Sequence, residues 1–198
     1  MSFLTLDSQS GLLRTCLLGD SGFLVIRGRK IHYRSKEQQH FFNAPFQLGF
    51  NNGVPLTDLP DHSITKDFTL LNNDIVIAAT DGLFDNLGDD EILKIYISFL
   101  DNNFFFLNDE LIVTKLHEIA LALLKAARQV GENPSALSPF ARAALQLGYF
   151  YIGGYFILTL EKARRHYSYG LAGPKNRRAV PRLIKRPSMQ HCASSFYA

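Results

Sequence analysis

The stretch of this sequence best suited to chemistry runs from Asp74 to Asn86, with Asp81 near its centre. Residues 75–79 form a short apolar run rich in β-branched residues, which predicts a buried strand. Asp81-Gly82 follows this run, so we expect a carboxylate at the carboxyl end of the strand and a glycine free to adopt the dihedral angles of the turn. A carboxylate held on a rigid strand can bind a hard divalent cation. Spacing alone leaves a second interpretation open, in which Asp81 is only a turn residue.

Apolar runs before this stretch predict the strands that support it. Residues 12–18 and 23–26 are separated by turn-forming residues, a pattern typical of a hairpin between two buried strands. A second turn leads to a partly exposed strand at 31–35, so the chain is expected to open as an antiparallel meander. Residues 35–64 show no sustained period and predict an extended connector, whereas residues 67–71 predict one more strand.

Helical patterns follow the central strand. Acidic residues open an apolar-periodic segment at 89–100, and an Asn-Asp pair can cap a second helix over 108–130. A Ser-Pro pair is typical of an N-cap followed by proline in the first turn, which predicts a short helix over 138–147. Two strand-like pieces occupy 149–160. Strands followed by helices favour the α+β class over alternating βαβ units.

Three segments carry a family resemblance, in a fixed order along the chain. They are residues 18–22 (Leu-Gly-Asp-Ser-Gly), residues 41–48 (Phe-Phe-Asn-Ala-Pro-Phe-Gln-Leu) and residues 79–85 (Ala-Thr-Asp-Gly-Leu-Phe-Asp). The first and third resemble signatures of the metal-dependent protein phosphatases of the PPM type, also called type 2C. The second resembles a segment of the mitochondrial-type subgroup. Three motifs in the right order are more specific than one, and the resemblance covers residues 12 to about 154.

This resemblance implies a fold and a reaction. Members of the family are β-sandwiches of antiparallel sheets flanked by helices, and they remove phosphate from phosphoserine and phosphothreonine in phosphoprotein substrates. Aspartates hold two Mn²⁺ or Mg²⁺ ions, which activate a water for direct attack on phosphorus. By position in the motifs, Asp81 corresponds to a metal ligand, Asp20 to an aspartate beside the core site, and Gly82 to the turn glycine. Asp85 is expected to be a cap or turn residue.

Two motifs of the resembled family have no counterpart in this sequence. An Asp-Gly-Val-Gly-Gly-like segment would precede Met1, and a Gly-Gly-Lys-Pro-Asp-Asp-like segment is replaced by Tyr155-Phe156 after Gly153-Gly154. One core ligand, Asp81, then remains where several are needed. We therefore expect residues 1–160 to form an incomplete PPM-type phosphatase domain with open sheet edges. A catalytically inactive, phosphatase-like binding or regulatory module is the alternative function.

Charge is distributed unevenly along the 198 residues. The net charge of +3 combines −6 over residues 1–161, which hold 12 basic and 18 acidic residues, with +9 over residues 162–198, which hold nine basic and no acidic residues. Residues 161–198 also lack an apolar period and predict a basic, disordered tail. Such a tail could bind nucleic acid or an anionic membrane. A solvated tail without a partner is the simpler interpretation.

Cysteine use and targeting signals bear on location. Cys16 and Cys192 are too few and too far apart for a disulfide framework, which favours a reducing, intracellular compartment. No apolar stretch reaches membrane-spanning length, and the first residues predict neither a secretory signal nor a transit peptide. The subgroup resemblance implies a mitochondrial location.

Four histidines lack metal-ligand spacing, so we expect them at the surface or in packing contacts rather than as metal ligands. They are His32, His40, His62 and His117.

Overall fold

The computed structural model describes residues 1–49, 57–100 and 109–154. Within these ranges all strands precede all α-helices, as predicted for the α+β class. The strands are β1 (Ser2–Asp7), β2 (Leu12–Leu17), β3 (Gly22–Arg27), β4 (Lys30–Arg34), β5 (Gln39–Phe41), β6 (Ala44–Pro45), β7 (Ile64–Thr69) and β8 (Ile75–Ala79). The helices are α1 (Asp81–Phe84), α2 (Asp89–Ser98), α3 (Asp109–Glu132) and α4 (Pro139–Gln146), and a 3₁₀-helix spans Pro60–His62.

Two antiparallel three-stranded sheets are stacked beneath a layer of helices. Their strand orders are β1-β2-β7 and β4-β3-β8. Alternate residues of β3 point to opposite faces of its sheet. Phe23 and Val25 pack with residues of the other sheet, whereas Leu24 and Ile26 pack with α2 and α3. Because both faces of β3 are covered, five of its six residues are buried.

The predicted hairpin between residues 12–18 and 23–26 is wrong. Both runs form strands, but β2 and β3 lie in different sheets, and the chain crosses between the sheets at residues 18–21. Strand β2 forms its hairpin with β1 instead, and β3 forms one with β4. The physical reason is that Leu13 and Leu17 face Phe23 and Val25 across the sandwich. Apolar residues show that a strand is buried, but they do not show whether its neighbour lies beside it or across the core.

The strand before Asp81 has the predicted bounds but not the predicted burial. Strand β8 is half-buried along most of its length, and Ala78 is exposed. Among the described residues, β8 pairs only with β3 and forms an edge of its sheet. An edge strand keeps one side open, so an apolar run does not guarantee complete burial.

The long helix α3 uses a narrower apolar face than predicted. Ile119, Leu123 and Ala127 are buried, whereas Leu111 and Leu124 are 49% and 62% exposed. Leu124 follows Leu123 and is therefore rotated by about 100° around the helix axis, away from the sheet. The helix also continues through Gly131, the residue expected to end it.

The predicted strand at 149–154 is not observed. These residues have no regular secondary structure, and Gly153 adopts a φ of 123°. Their backbone contacts the loop before α4 instead, since Gly153 N donates to Ala136 O and Gly154 N to Asn133 O. The second predicted strand, at 155–160, and the basic tail lie outside the described residues.

Candidate active-site cleft

Asp81 lies where β8 gives way to a helix of one turn. Thr80 caps α1, and its hydroxyl accepts a hydrogen bond from Gly82 N at 3.3 Å. The buried amide of Asn86 donates to Gly82 O at 2.9 Å. These contacts stabilise a turn that is too short to be stable by itself. The carboxylate-bearing residue is therefore held at the end of the strand, as predicted.

Gly82 does not use the unusual dihedral angles expected of a turn glycine. It lies inside α1 and is not among the described glycines with positive φ. A Cβ atom at this position would meet Thr80 Oγ1 at 3.4 Å, an ordinary contact. The prediction failed because the strand leads directly into a helix, in which every residue type can adopt the required backbone angles.

The first motif, residues 18–22, lies at the same end of the sheet as Asp81 because of strand register. Gly22 pairs with Ala79 across the β3–β8 ladder, so Asp20, before β3, and Asp81, after β8, flank the same end of this sheet. The buried Ser35 hydroxyl lies against Gly22 and accepts a hydrogen bond from Phe23 N at 2.8 Å. A Cβ atom on residue 22 would overlap this hydroxyl, so glycine is required by close packing at this point.

The second segment, residues 41–48, packs against the first motif through Gln38. Gln38 N donates to Gly19 O at 2.9 Å, and its side-chain oxygen accepts from Gly19 N at 3.3 Å. Phe46 N in turn donates to Gln38 O at 3.0 Å. Between these anchors, β5 and β6 form a small hairpin whose tip is Phe42-Asn43. Asn43 has a φ of 57°, which asparagine tolerates at a tight turn.

The three motifs meet at an open cleft of about 470 Å³. Asp20 comes from the first motif, Phe42 and Asn43 from the hairpin tip in the second, and Phe84 and Asp85 from the third. Asp81 itself is not a lining residue, although it begins the helix that carries Phe84. Helix α4 forms the other wall. The complete lining is Asp20, Glu37, Gln39, Phe42, Asn43, Phe84, Asp85, Pro139, Phe140 and Ala143.

Arg34 lies next to this cleft and is held on three sides. Its Cζ atom is 3.3 Å from the centroid of the Phe84 ring. Its guanidinium is 3.8 Å from Glu37 Oε1 and 3.7 Å from Asp89 Oδ1. Burial lowers the pKa of Arg34, although the nearby carboxylates favour its charged form. Arg34 therefore joins the end of β4 to α1 and to the first turn of α2.

The carboxylates give the cleft a negative character. Partial burial raises the pKa of Glu37, and the charge of Asp20 raises it further, while Arg34 opposes both effects. Asp85 is close enough to favour the charged form of Arg34. Three carboxylates thus line the cleft beside one guanidinium, and a cleft of this charge attracts cations.

The metal ligands expected from the resemblance are not assembled by these residues alone. Asp20 and Asp81 are placed at one end of the sheet, but within residues 1–49, 57–100 and 109–154 no group of three or more Asp, Glu, His or Cys side chains could hold a metal ion. A two-metal centre requires several oxygen ligands for each ion. The described residues therefore do not fit a complete centre of that kind.

A buried carboxylate that sequence reasoning missed lies behind the hairpin. Asp58 is 2% exposed, and it accepts hydrogen bonds from Gln47 N at 2.7 Å and from His40 Nε2 at 3.0 Å. His62 Nδ1 lies 3.3 Å from its other oxygen. His40 is separated from Asp58 by 18 residues, so no local pattern in the sequence indicates the contact.

Comparison with known proteins supports a phosphatase relationship. No family model matches the chain. The protein phosphatase PTC7 homolog of Homo sapiens is 39% identical over 153 residues, which cover 75% of this chain and 47% of that protein. The Danio rerio homolog is also 39% identical, covering 75% of this chain and 48% of the relative. The protein phosphatase PTC7 homolog fig of Drosophila melanogaster is 35% identical over 158 residues, covering 76% of this chain and 46% of the relative.

The fold agrees with these similarities. The X-ray structure of the photosystem II phosphatase PBCP superposes with a TM-score of 0.63 at 24% identity, covering 77% of this chain and 58% of that one. The mixed architecture of helices and antiparallel sheets is thus the PPM phosphatase fold, present in part. The chain belongs to the PPM-type protein phosphatase family. It spans about half the length of the curated relatives it matches.

No helix within residues 1–49, 57–100 and 109–154 is both long and apolar enough to span a membrane.

Proposed function

We propose that this chain acts as part of a protein phosphatase that hydrolyses phosphoserine and phosphothreonine in a metal-dependent reaction. The observation that carries the proposal is the 39% identity over 153 residues with a protein named as a phosphatase. The convergence of the three motifs on one cleft supports it further. In this proposal the substrates are phosphoproteins.

The charge of the cleft supports a requirement for cations. A phosphate monoester carries up to two negative charges near neutral pH, and Asp20, Glu37 and Asp85 would repel it. Hard divalent cations such as Mn²⁺ or Mg²⁺ bind carboxylates and would remove this repulsion. We assign Asp81 and Asp20 as candidate ligands, with Gly82 following Asp81 in α1. Further donors must come from outside the described residues, because these residues contain no complete ligand group.

Hydrolysis of a phosphothreonine peptide by the purified chain tests this proposal. We expect phosphate release that requires Mn²⁺ or Mg²⁺ and stops when EDTA is added. Activity that survives EDTA would contradict the metal-dependent reaction. If the chain is folded but inactive and a longer protein that contains it is active, the chain supplies only some of the ligands.

The incomplete ligand group favours a second candidate, a catalytically inactive binding or regulatory module. The named phosphatase relatives favour the enzyme. Calorimetric titration of the chain with Mn²⁺ separates the two candidates. Two tight sites would exclude the inactive module, whereas absence of binding by a folded sample would favour it.

Two further expectations remain predictions. The basic tail lies outside the described residues, and binding to nucleic acid or anionic lipid through it would weaken steeply with salt and disappear when residues 162–198 are deleted. Retained binding after the deletion would exclude the tail as the cause. A mitochondrial location is proposed from the subgroup resemblance, and organelle fractionation would test it.

A further inference from the structure

The β5–β6 hairpin, which carries Phe42 and Asn43 into the cleft, has few hydrogen bonds between its two strands. Strand β5 has three residues and β6 has two, and one of the paired residues, Pro45, has no backbone N–H to donate. A two-stranded hairpin of this size is marginal in water without support from other elements. The position of the hairpin tip must therefore depend on contacts elsewhere.

Asp58 supplies such a contact at the base of the hairpin. One of its oxygens, Oδ2, accepts from His40 Nε2 in β5 and from Gln47 N just beyond β6. The backbone N–H of Asp58 also donates to Gln47 O at 2.8 Å. A single buried side chain thus joins both arms of the hairpin.

The imidazoles strengthen this arrangement through Phe46. His40 stacks on the Phe46 ring, with centroids 4.1 Å apart and an interplanar angle of 19°. His62 meets the same ring edge-on, with the ring centroids 6.2 Å apart.

The hydrogen bonds to Asp58 also keep its side chain charged. Burial by itself would raise the pKa of Asp58, but the hydrogen bonds from Gln47 and the two histidines outweigh this effect and hold the pKa below its ordinary value. The side chain is therefore an anionic acceptor under physiological conditions.

The tip of the hairpin lines the candidate active-site cleft. Phe42 lies 5.1 Å from the Phe140 ring and 5.6 Å from the Tyr149 ring, between centroids. Phe42 and Asn43 line the cleft together with Asp20. A change at Asp58 would consequently reach the cleft through the short β5–β6 hairpin rather than through direct contact.

We propose that Asp58 is a positioning residue, whose carboxylate closes the base of the β5–β6 hairpin through His40 and Gln47 and so holds Phe42 and Asn43 in the cleft. Its importance for a reaction rests on the proposed phosphatase function. The position of the hairpin tip is independent of that function and can be measured directly.

The chain contains no tryptophan, so Phe42→Trp introduces a single reporter at the hairpin tip. In this background we expect Asp58→Asn to shift the tryptophan emission to longer wavelength and to raise its acrylamide quenching constant at least about twofold, since local opening exposes the ring. Asp61→Asn is the matched control, because Asp61 is exposed in the adjacent 3₁₀-helix. Equal spectra for Asp58→Asn and Asp61→Asn would overturn the proposal.

A pair of substitutions at His40 covers the case in which Asp58→Asn does not fold. His40→Leu removes the donor, whereas His40→Gln retains an N–H that can reach the carboxylate. We expect His40→Leu to reproduce the increase in quenching and His40→Gln to restore at least half of the original protection. A purely structural loss of packing would affect both variants alike and would overturn the proposal.

Enzyme kinetics, measured together with quenching, separate the positioning role of Asp58 from the proposed phosphatase function. Where the protein hydrolyses a phosphopeptide, Asp58→Asn should raise KM several-fold with a smaller change in kcat, because the hairpin tip lies at the binding cleft. If the chain alone is inactive but its quenching still responds to Asp58→Asn, the positioning role of Asp58 is supported and hydrolysis by this chain alone is excluded. An active protein whose quenching does not respond would refute the positioning role of Asp58 alone.

Discussion

The carboxylate of Asp74 accepts two hydrogen bonds from the Arg27 guanidinium, at 2.9 Å from Nε and 2.8 Å from Nη2. Arg27 ends β3, and Asp74 immediately precedes β8. The pair therefore joins these strands at the end opposite Asp81, since Ile26 pairs with Ile75 and Gly22 with Ala79. This ion pair helps to hold the strand on which the candidate ligand is carried.

Arg27→Ala should destabilise the fold. The Asp74 side chain is 1% exposed, so the substitution removes the cation and two hydrogen bonds from a covered carboxylate and should lower the free energy of unfolding by more than the control does. Urea denaturation followed by circular dichroism measures the change. Arg14→Ala is the control, because the Arg14–Asp67 pair is 3.9 Å long and mostly exposed, and its loss should cost less than about 1 kcal/mol. Similar costs for the two variants would contradict a structural role for the Arg27–Asp74 pair.

Stability should fall in acid. The hydrogen bond from Arg27 is the main reason that the pKa of Asp74 is lowered, and the pKa of Asp58 is also below its ordinary value. The unfolded chain binds protons on these groups near pH 3.9, before the folded chain does. Their stabilisation is thus complete well above pH 4 and is lost as pH drops through the folded pKa values. Glu37, whose pKa is raised, contributes a change of opposite sign.

Asp74→Asn provides the check on this pH dependence. Free energies of unfolding measured from pH 7 to pH 3 should decline less steeply for the variant than for the native chain, because one of the linked protons is absent. An unchanged slope would show that Asp74 has the same pKa in the folded and unfolded states.

Gly22→Ala should destabilise the chain through overlap with the Ser35 hydroxyl. Overpacking of a buried site costs about 1–3 kcal/mol. In the double variant Gly22→Ala/Ser35→Ala the obstructing oxygen is removed, so its loss of stability should be smaller than the sum of the two single losses. Thermal unfolding of all four proteins measures this coupling, and additive losses would show that the two side chains do not compete for space.

Asp81→Asn should abolish metal-dependent phosphatase activity if Asp81 is a ligand. Losing a residue that only supports a ligand typically reduces activity 10–100-fold, so we expect a loss above about 100-fold for the ligand itself. Asp90→Asn, at an exposed position in the first turn of α2, should retain activity. The assay is phosphopeptide hydrolysis at saturating Mn²⁺, with circular dichroism to confirm folding. Comparable activities for the two variants would remove Asp81 from the ligand set.

Arg34→Met should raise the pKa of Glu37. The guanidinium lies 3.8 Å from this carboxylate and favours its charged form, whereas methionine keeps apolar contact with Phe84 but carries no charge. Carbon-detected NMR titration of the glutamate side chains measures the shift. Arg29→Met, in the exposed β3–β4 turn, should leave Glu37 unchanged. A fall in the Glu37 pKa in Arg34→Met would contradict the assignment of the local charges.

Local signals in the sequence predicted individual elements with good accuracy. Ser138 accepts a hydrogen bond from Ala141 N at the start of α4, and acidic residues open α2 at Asp89, as expected. These predictions succeeded because a cap and the first turn of a helix lie within four residues of each other. The prediction of a strand at 149–154 was wrong because aromatic residues favour a strand only where a neighbouring strand is available for pairing.

The sequence by itself determined the approximate bounds of six elements, that Asp81 follows a strand, and which family the three motifs indicate; these elements are β2, β3, β4, β8, α2 and α4. The tertiary structure decided which sheet each strand joins, that β8 is an edge strand among the described residues, and that Asp20, Phe42 and Asp85 line one cleft. It also decided the contact between Asp58 and His40. The physical reason is the separation along the chain over which each kind of interaction acts. Caps and periodicity act over a few neighbouring residues, whereas sheet order and the burial of Asp58 depend on contacts between segments that only the folded chain brings together.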